Sequence, residues 1–273
     1  MRRIFVSLAV NGALLAAAAL TLMPLLWMLS ASLMPAGEAT ALPPRLVPSA
    51  PTLEHYRTLF ARLDLGRALL NSTALASVVT ALSLMINSLA GYAFAKLPFR
   101  GRDRLFAVLL LALVVPAQVA MLPLFLELKT LGLVNSYVAV VVPGLASVFG
   151  IFLVRQYALG LPDSVLDAAR VDGAGELRLY ASVVLWLLGP ILVTLAVFTF
   201  MGTWNDFMWP LIVLADARRY TLPVALANLA GEHVQDVELM MAGAVVTVLP
   251  VLLLFVCLQR YYIAGVMAGG VKE

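Results

Sequence analysis

Charged residues are missing from six long stretches of this sequence, and their spacing constrains the fold more than any motif does. The stretches cover residues 4–37, 68–95, 105–126, 130–154, 179–205 and 239–259. Each reaches the roughly 20 residues that a helix needs to cross a bilayer. Because backbone polar groups cannot stay unsatisfied in hydrocarbon, each stretch is predicted to be helical. The sequence therefore predicts an all-α membrane protein with six transmembrane helices.

Composition excludes a soluble domain of this length. Only 12% of the residues are charged and 63% are hydrophobic, whereas an average soluble domain carries about 25% charged residues. The first apolar stretch follows Arg2 and Arg3, but it is longer than the roughly 7–15 residues of a cleavable signal core. We interpret it as a retained first helix.

The distribution of Lys and Arg predicts the orientation of the six helices. Eleven of the 18 basic residues fall on the side that carries both termini, and seven fall in the longer loops of the other side. Cytoplasmic loops carry the excess of Lys and Arg, so both termini are predicted to be cytoplasmic. The net charge of +3 follows from this orientation and gives no indication of nucleic-acid binding.

Turn residues and charges divide the chain into three predicted parts. Residues 1–66 form the first transmembrane helix and a proline-rich extracytoplasmic strap, in which residues 53–60 are an amphipathic interfacial helix. Residues 67–262 form a five-helix core with a cytoplasmic loop at 155–181. Residues 263–273 form a cytoplasmic tail.

The loop between the fourth and fifth helices is the most informative connection. Asp163 follows Pro162 and is predicted to cap a short helix over residues 163–170. Gly173 supplies a residue that tolerates positive φ, and we expect it to end that helix. The predicted product is a short helix, a sharp turn and a second helix that enters the membrane.

A single acidic residue, Asp206, lies outside the loops. A charge at that depth normally faces a bundle interior or a watery path. Asp206 either caps a broken helix near Gly202 and Pro210 or lines a translocation path, and the two roles are compatible. Trp204, Asn205 and Phe207 surround it with the aromatic and polar groups that suit a sugar, and Gln118, after Pro116, is a further candidate for the path.

Other chemistry is not predicted. Cys257 is the one cysteine, the two histidines lie far apart, and no glycine-rich Walker loop is present. We therefore expect no metal site, no catalytic residue and no ATP site on this chain.

Three segments resemble one known family. Residues 167–174 read DAARVDGA and resemble the EAA loop of ABC importer permeases, although the leading acid is Asp167 and Trp186 stands where the family has proline. Residues 198–207 read FTFMGTWNDF and resemble the fifth-helix signature of the carbohydrate-importing branch. The tail, with QRYY at 259–262 and GVMAGGVK at 265–272, is similar to that of the maltose-type, MalG-like second permease.

This resemblance implies a type-one ABC importer permease fold in the cell inner membrane, in a transport subunit that is not itself an enzyme. It implies as partners a second homologous permease, two copies of a P-loop ATPase that carry ATP and Mg, and an extracytoplasmic sugar-binding protein. Sugar, or oligosaccharide, is the implied substrate. The residues it assigns to the ATPase-coupling loop are Asp163, Asp167, Ala168, Ala169, Arg170, Asp172, Gly173 and Ala174. The residues it assigns to an ATPase-contacting tail are Gly269, Gly270 and Lys272.

Two other classes are weighed against the permease. An ion-driven secondary transporter needs an ion site and usually shows two related halves, but the sequence has one buried acid and no evident repeat. An intramembrane enzyme needs paired catalytic groups at one depth, and the predicted helices supply none.

Overall fold

The computed structural model describes residues 2–43, 45–61, 64–232 and 236–270, with the side chains of 2–5, 230, 232 and 258–270 left aside. This described part consists of helices and turns without a strand. The longer helices are α1 (Arg2–Ala31), α3 (Leu65–Lys96), α5 (Ala117–Thr130), α7 (Val148–Leu159), α11 (Gly189–Trp204) and α14 (Val237–Gly270). The shorter ones are α2 (Glu54–Ala61), α4 (Arg102–Leu111), α6 (Tyr137–Gly144), α8 (Asp163–Val171), α9 (Glu176–Leu179), α10 (Leu185–Leu187), α12 (Met208–Val213) and α13 (Leu222–Glu232). The predicted all-α class is confirmed.

Four segments are long and apolar enough to cross a membrane as they stand. They are Val6–Ala31, Leu65–Lys96, Tyr137–Leu159 and Val237–Cys257. Two further segments qualify as bent pairs: Arg102–Val114 with Ala117–Thr130, and Glu176–Leu187 with Gly189–Trp204. The described residues therefore provide up to six crossings.

Proline accounts for both bends. The first pair is bent by 100° at Val115, which is extended (φ −82°, ψ 118°) because Pro116 disfavours the helical region for the residue before it. The second pair is bent by 79° at Leu188, just before Pro190, which has no N–H to continue the helical ladder. The third and fifth predicted helices are therefore broken rather than straight.

The described residues form two compact units. The first contains residues up to 66 together with 225–252, and polar contacts hold its loop between α1 and α2. His55 Nε2 lies 2.8 Å from the carbonyl oxygen of Met34. The buried carboxylate of Glu238 accepts the N–H of Ala39 at 2.8 Å. The predicted interfacial helix at 53–60 corresponds to α2.

The second unit contains residues 67–224 and 253–273, and its described part has two apolar clusters. One cluster joins α3, α7, α8 and α11 through residues that include Tyr92, Val154, Leu166 and Leu195. The other joins α3, α5, α6 and α12 through Leu75, Leu128, Ala139 and Trp209 among others. Because α3 contributes to both, this single helix links the two ends of the unit.

Candidate functional site: the α8 loop and the α12 loop

Residues 160–178, which we call the α8 loop, fold as the sequence predicts. The helix α8 runs over Asp163–Val171 and stops at Gly173, whose φ is +82°. The N–H of Ala174 donates to the carbonyl of Ala169 at 3.0 Å, and the N–H of Gly173 donates to that of Arg170 at 3.0 Å. This pair of bonds is a Schellman motif, in which a left-handed residue satisfies the last carbonyls of a helix.

The start of α8 differs from the prediction. Asp163 is the first helical residue rather than the N-cap, and Pro162 occupies the cap position without a side-chain bond. The carboxylate of Asp163 instead accepts a hydrogen bond from Nζ of Lys96 at 2.7 Å. The predicted capping role of Asp163 is therefore wrong, because a neighbouring cation competes successfully for its carboxylate.

The other end of α8 is held by a network of charged groups. Arg170 donates to Asp167 and to Glu176, both at 2.9 Å. The hydroxyl of Tyr92 donates to the second oxygen of Glu176 at 3.0 Å. The hydrogen bonds to Glu176, then to Asp167, raise the pKa of Arg170 above its ordinary value. Arg170 therefore stays charged and fixes the turn between α8 and α9.

One face of α8 is buried and the opposite face is open. Leu166 is 1% exposed in the apolar cluster, whereas Ala168 and Asp172 are exposed. Val171 and Leu177 are 87% and 79% exposed. Apolar side chains this open beside small residues mark a surface suited to contact with another protein.

Residues 205–221, which we call the α12 loop, contain the predicted break in the fifth membrane helix. The helix α11 ends at Trp204, and α12 begins at Met208. The carboxylate of Asp206 accepts the N–H of Trp209 at 3.3 Å and so caps the start of α12. Asp206 thus has the helix-capping geometry that was one of its two predicted roles.

Asp206 also lines a cavity of about 240 Å³. Thr203 and Trp209 lie in the same wall, and the rest of the lining comes mainly from apolar residues of α3, α5 and α6. No cation pairs with Asp206 within the part of the chain that the structure describes. An ionised carboxylate can only accept hydrogen bonds, so Asp206 offers the cavity acceptor oxygens.

The other residues predicted for the path do not line this cavity. Trp204 is 1% exposed and stacks on Phe200 with ring centroids 5.9 Å apart. Asn205 is exposed and its amide donates to the carbonyl of Met201 at 2.9 Å. Phe207 is half-buried, and Gln118 is exposed beside Ala117, which does line the cavity.

Sequence reasoning missed a second cavity of about 390 Å³ and its polar lining. Ser83, Ser147, Thr199 and Thr203 contribute to its walls. Asn87, fully buried, positions this wall because its amide accepts the N–H of Ser147 at 2.9 Å and donates to Ser83 at 2.6 Å. The four-residue spacing of Ser83 and Asn87 on α3 is the signal that could have indicated it.

The residues predicted for the tail are described only in part. The helix α14 continues to Gly270, so it includes Gly269 and Gly270. Lys272 lies outside the described residues. Among the described residues, no cluster of His, Cys, Asp and Glu has the arrangement of a metal site.

The apolar crossings, the capped loop and the lined cavities together define a multi-pass membrane transport subunit. A family model described as "Binding-protein-dependent transport system inner membrane component" matches residues 84–267. The chain belongs to this family. The resemblance to ABC importer permeases is thereby confirmed.

Individual proteins agree with the family assignment. The chain is 39% identical to the arabinooligosaccharides transport system permease protein AraQ of Halalkalibacterium halodurans, over 91% of this chain and 90% of that one. It is 35% identical to the lactose transport system permease protein LacG of Rhizobium radiobacter, over 80% of each chain. Its fold matches a bacterial ABC transporter involved in alginate import, with a TM-score of 0.84, 24% identity and coverage of 96% and 98%.

These findings establish the role of the chain. It is an inner-membrane, multi-pass permease subunit of a binding-protein-dependent importer, and it is a transport subunit rather than an enzyme. Such a system includes a separate ATPase and a substrate-binding protein.

Proposed function

We propose that this permease is the MalG-like subunit of a carbohydrate importer, and that it pairs with a second, homologous permease. The proposal is supported most directly by its relatives, whose names include arabinooligosaccharide, lactose and α-glucoside transport. An extracytoplasmic binding protein delivers the sugar or oligosaccharide. Two copies of a P-loop ATPase bind ATP and Mg on the cytoplasmic side, where both termini of this chain also lie.

The α8 loop is the proposed docking site for the ATPase. Its coupling-loop residues Asp163 to Ala174 form a capped helix whose buried face is fixed by Leu166 and whose open face carries Ala168 and Val171. A helix whose one face is packed against its own unit and whose other face exposes apolar side chains suits insertion into a groove. The tail residues Gly269, Gly270 and Lys272 are proposed as a second ATPase contact.

The cavities beside Asp206 are proposed as this subunit's share of the path. Asp206 and Thr203 offer oxygen atoms to sugar hydroxyls at the junction of both cavities, since Thr203 lines each of them. Asn205, Phe207 and Gln118 remain proposed contacts, while buried Trp204 stacks on Phe200.

Extraction of the tagged chain from its host membrane in mild detergent tests the docking proposal. We expect a second permease and an ATPase to co-purify with it. Val171→Glu places a charge on the open face of α8, and Gly173→Val strains the turn at φ +82°, so both variants should lose the ATPase and keep the second permease. Leu131→Glu, at another exposed apolar side chain, is the matched control and should retain both. Recovery of the chain alone would contradict the whole proposal.

Uptake measurements test the substrate class and the path. Vesicles that contain the complete transporter and its binding protein should accumulate a labelled arabino-oligosaccharide, lactose or another sugar from a panel, and require ATP. Asp206→Ala with Asn205→Ala should lower uptake while the complex stays intact. A double variant that fails to assemble would instead assign both residues to the helix break.

A further inference from the structure

The helix α8 is attached to the rest of the second unit by side-chain contacts as well as by the chain itself. Chain connections alone would hold it weakly, because Gly160 precedes it and Gly173 and Gly175 follow it. The helix α3 supplies the missing attachment. Lys96, the last residue of α3, donates from Nζ to Asp163 at 2.7 Å and to the carbonyl of Leu161 at 2.8 Å.

Tyr92 makes the second attachment from one turn earlier on the same face of α3. Its hydroxyl donates to Glu176 at 3.0 Å, and Glu176 in turn holds Arg170 at the other end of α8. The side chain of Lys96 is only 8% exposed, and Tyr92 is 2% exposed. The two donor groups are therefore held in place by the unit, whereas their acceptors lie nearer water: the side chain of Asp163 is 75% exposed and that of Glu176 is 46% exposed.

Leu166 makes the third attachment, between the other two. It is packed into the cluster that contains Tyr92 and Ala95 of α3. The two ends and the middle of α8 are thus each fixed to the last two turns of α3. A body held at both ends and along one face passes on rotation as well as displacement, which a single contact would not.

The helix α3 then continues without a break to the cavities. It contains no proline; Val79 of this helix lines both cavities, and Ser83 lines the larger one. From Tyr92 to Val79 the rise is about 20 Å at 1.5 Å per residue. By contrast, the pairs α4 with α5 and α9 with α11 are bent by 100° and 79°, and such bends absorb movement.

We propose that Tyr92 and Lys96 are positioning residues that transmit movement of the ATPase-bound α8 to the cavities through α3. This inference rests on the proposed docking of α8. The helix α3 carries the movement of α8 to the cavities, and the bent helices follow it. Neither residue touches the substrate or the ATPase in this scheme.

The test uses the complete transporter in liposomes and a reporter that needs no substrate. Thr199→Cys places a thiol in the wall of the larger cavity, and Cys257→Ser removes the native one. Maleimide labelling is timed with and without Mg-ATP and vanadate. In this reporter background we expect nucleotide to change the labelling rate roughly fivefold, as the populations of two states shift.

Lys96→Met with Tyr92→Phe should abolish that response while the ATPase still co-purifies and hydrolyses ATP. Lys96→Arg, which keeps the donor, should retain it. Matched controls delete the same groups elsewhere: Lys129→Met at an exposed lysine, and Tyr137→Phe, whose hydroxyl contacts Asn71 at 2.8 Å. Both controls should respond normally, so a general effect of losing a hydroxyl or an ammonium is excluded.

If the variant with both Lys96→Met and Tyr92→Phe keeps the nucleotide response, the proposal is overturned. It is also overturned if the reporter background shows no response. If Lys96→Met prevents assembly, Tyr92→Phe alone removes the second contact, outside the docking loop, and is judged by the same criterion. The docking of α8 is tested separately: if Val171→Glu retains the ATPase in co-purification, docking at α8 is refuted whatever the labelling response.

Discussion

The α8 loop and the α12 loop belong to the same unit, but they are held by different chemistry. The α8 loop depends on charged side chains: Lys96 with Asp163, and Arg170 with Asp167 and Glu176. The α12 loop has an ion pair of its own, Arg218 with Asp216 at 3.4 Å, and Arg219 donates to the carbonyl of Asn135. Its other contacts with the rest of the unit are made by neutral amides that bond to backbone. Asn135 accepts the N–H groups of Ala215 and Asp216, and Asn71 donates to two carbonyls, those of Arg218 and Tyr220.

The difference determines how each loop responds to solution conditions. Hydrogen bonds between amide side chains and the backbone fix a single conformation, and their strength depends little on salt. Charged contacts at the edge of water are more easily rearranged, because water and salt compete for both partners. The comparison indicates that the contacts of the α12 loop depend little on salt and that those of the α8 loop are sensitive to it.

Helix packing near the two loops provides the sharpest test of this comparison. A Cβ at Gly91 would lie 2.7 Å from two atoms of Val154 and 3.0 Å from the backbone nitrogen of Arg155. At Gly144 it would meet one methyl carbon of Val79 at 2.9 Å, a single close contact with the end of a side chain and none with backbone. We expect Gly91→Ala to cost about 3 kcal/mol and Gly144→Ala about 1 kcal/mol, measured by thermal unfolding in detergent. Equal losses would show that α3 and α7 separate easily near the α8 loop.

Removal of one amide should loosen the α12 loop alone. Asn135 has φ +60°, so Asn135→Gly keeps the backbone conformation and removes only the side chain. Two N–H groups lose their acceptor, and we expect local stability to fall by about 2 kcal/mol. Hydrogen exchange at residues 215–216 measures the effect, with residues 172–174 of the α8 loop as the internal control. Faster exchange at both loops would contradict their independence.

The smallest expected effect is at the charged contacts of the α8 loop. Arg170→Gln removes both of its ion pairs, which are partly exposed and worth about 1 kcal/mol or less. Raising the salt to roughly 1 M, where the Debye length is about 3 Å, should produce a similar loosening in the unaltered chain. Limited proteolysis at residues 172–178 reports both changes. A salt effect at the α12 loop of the same size would remove the distinction between the loops.

Much of the fold could be predicted from charge spacing, because the bilayer imposes one length and one kind of secondary structure. The α8 turn was also predictable, since Gly173 at the end of a short helix has few alternatives. The partner of Asp163 was not, because a capping residue is identified from its neighbours in sequence, whereas Lys96 is distant in the chain. The bend at Val115 was missed because Pro116 was considered only in connection with Gln118, and not for its effect on the residue before it.

At the candidate path, the sequence indicated which types of residue take part but not which side chains face the cavity. Trp204 and Asn205 are adjacent to Asp206 in sequence, but the end of α11 turns Trp204 inward against Phe200 and leaves Asn205 exposed. Ser83 and Thr199 line the larger cavity because of the way α3 and α11 are rotated. Rotation of a helix in a largely apolar sequence carries little hydrophobic signal, so the facing residues emerge only from the packed structure.

The open apolar side chains of the α8 loop also matter before the transporter is assembled. In the proposed orientation, a newly inserted chain that has not met its ATPase presents the exposed Val171 and Leu177 to the cytosol, where chaperones and proteases act on incompletely assembled chains. We therefore expect the cellular half-life of this chain to lengthen when the ATPase is co-expressed. Supply of the soluble partner would then set how many permeases survive, and the cell would keep the subunits in proportion by degradation.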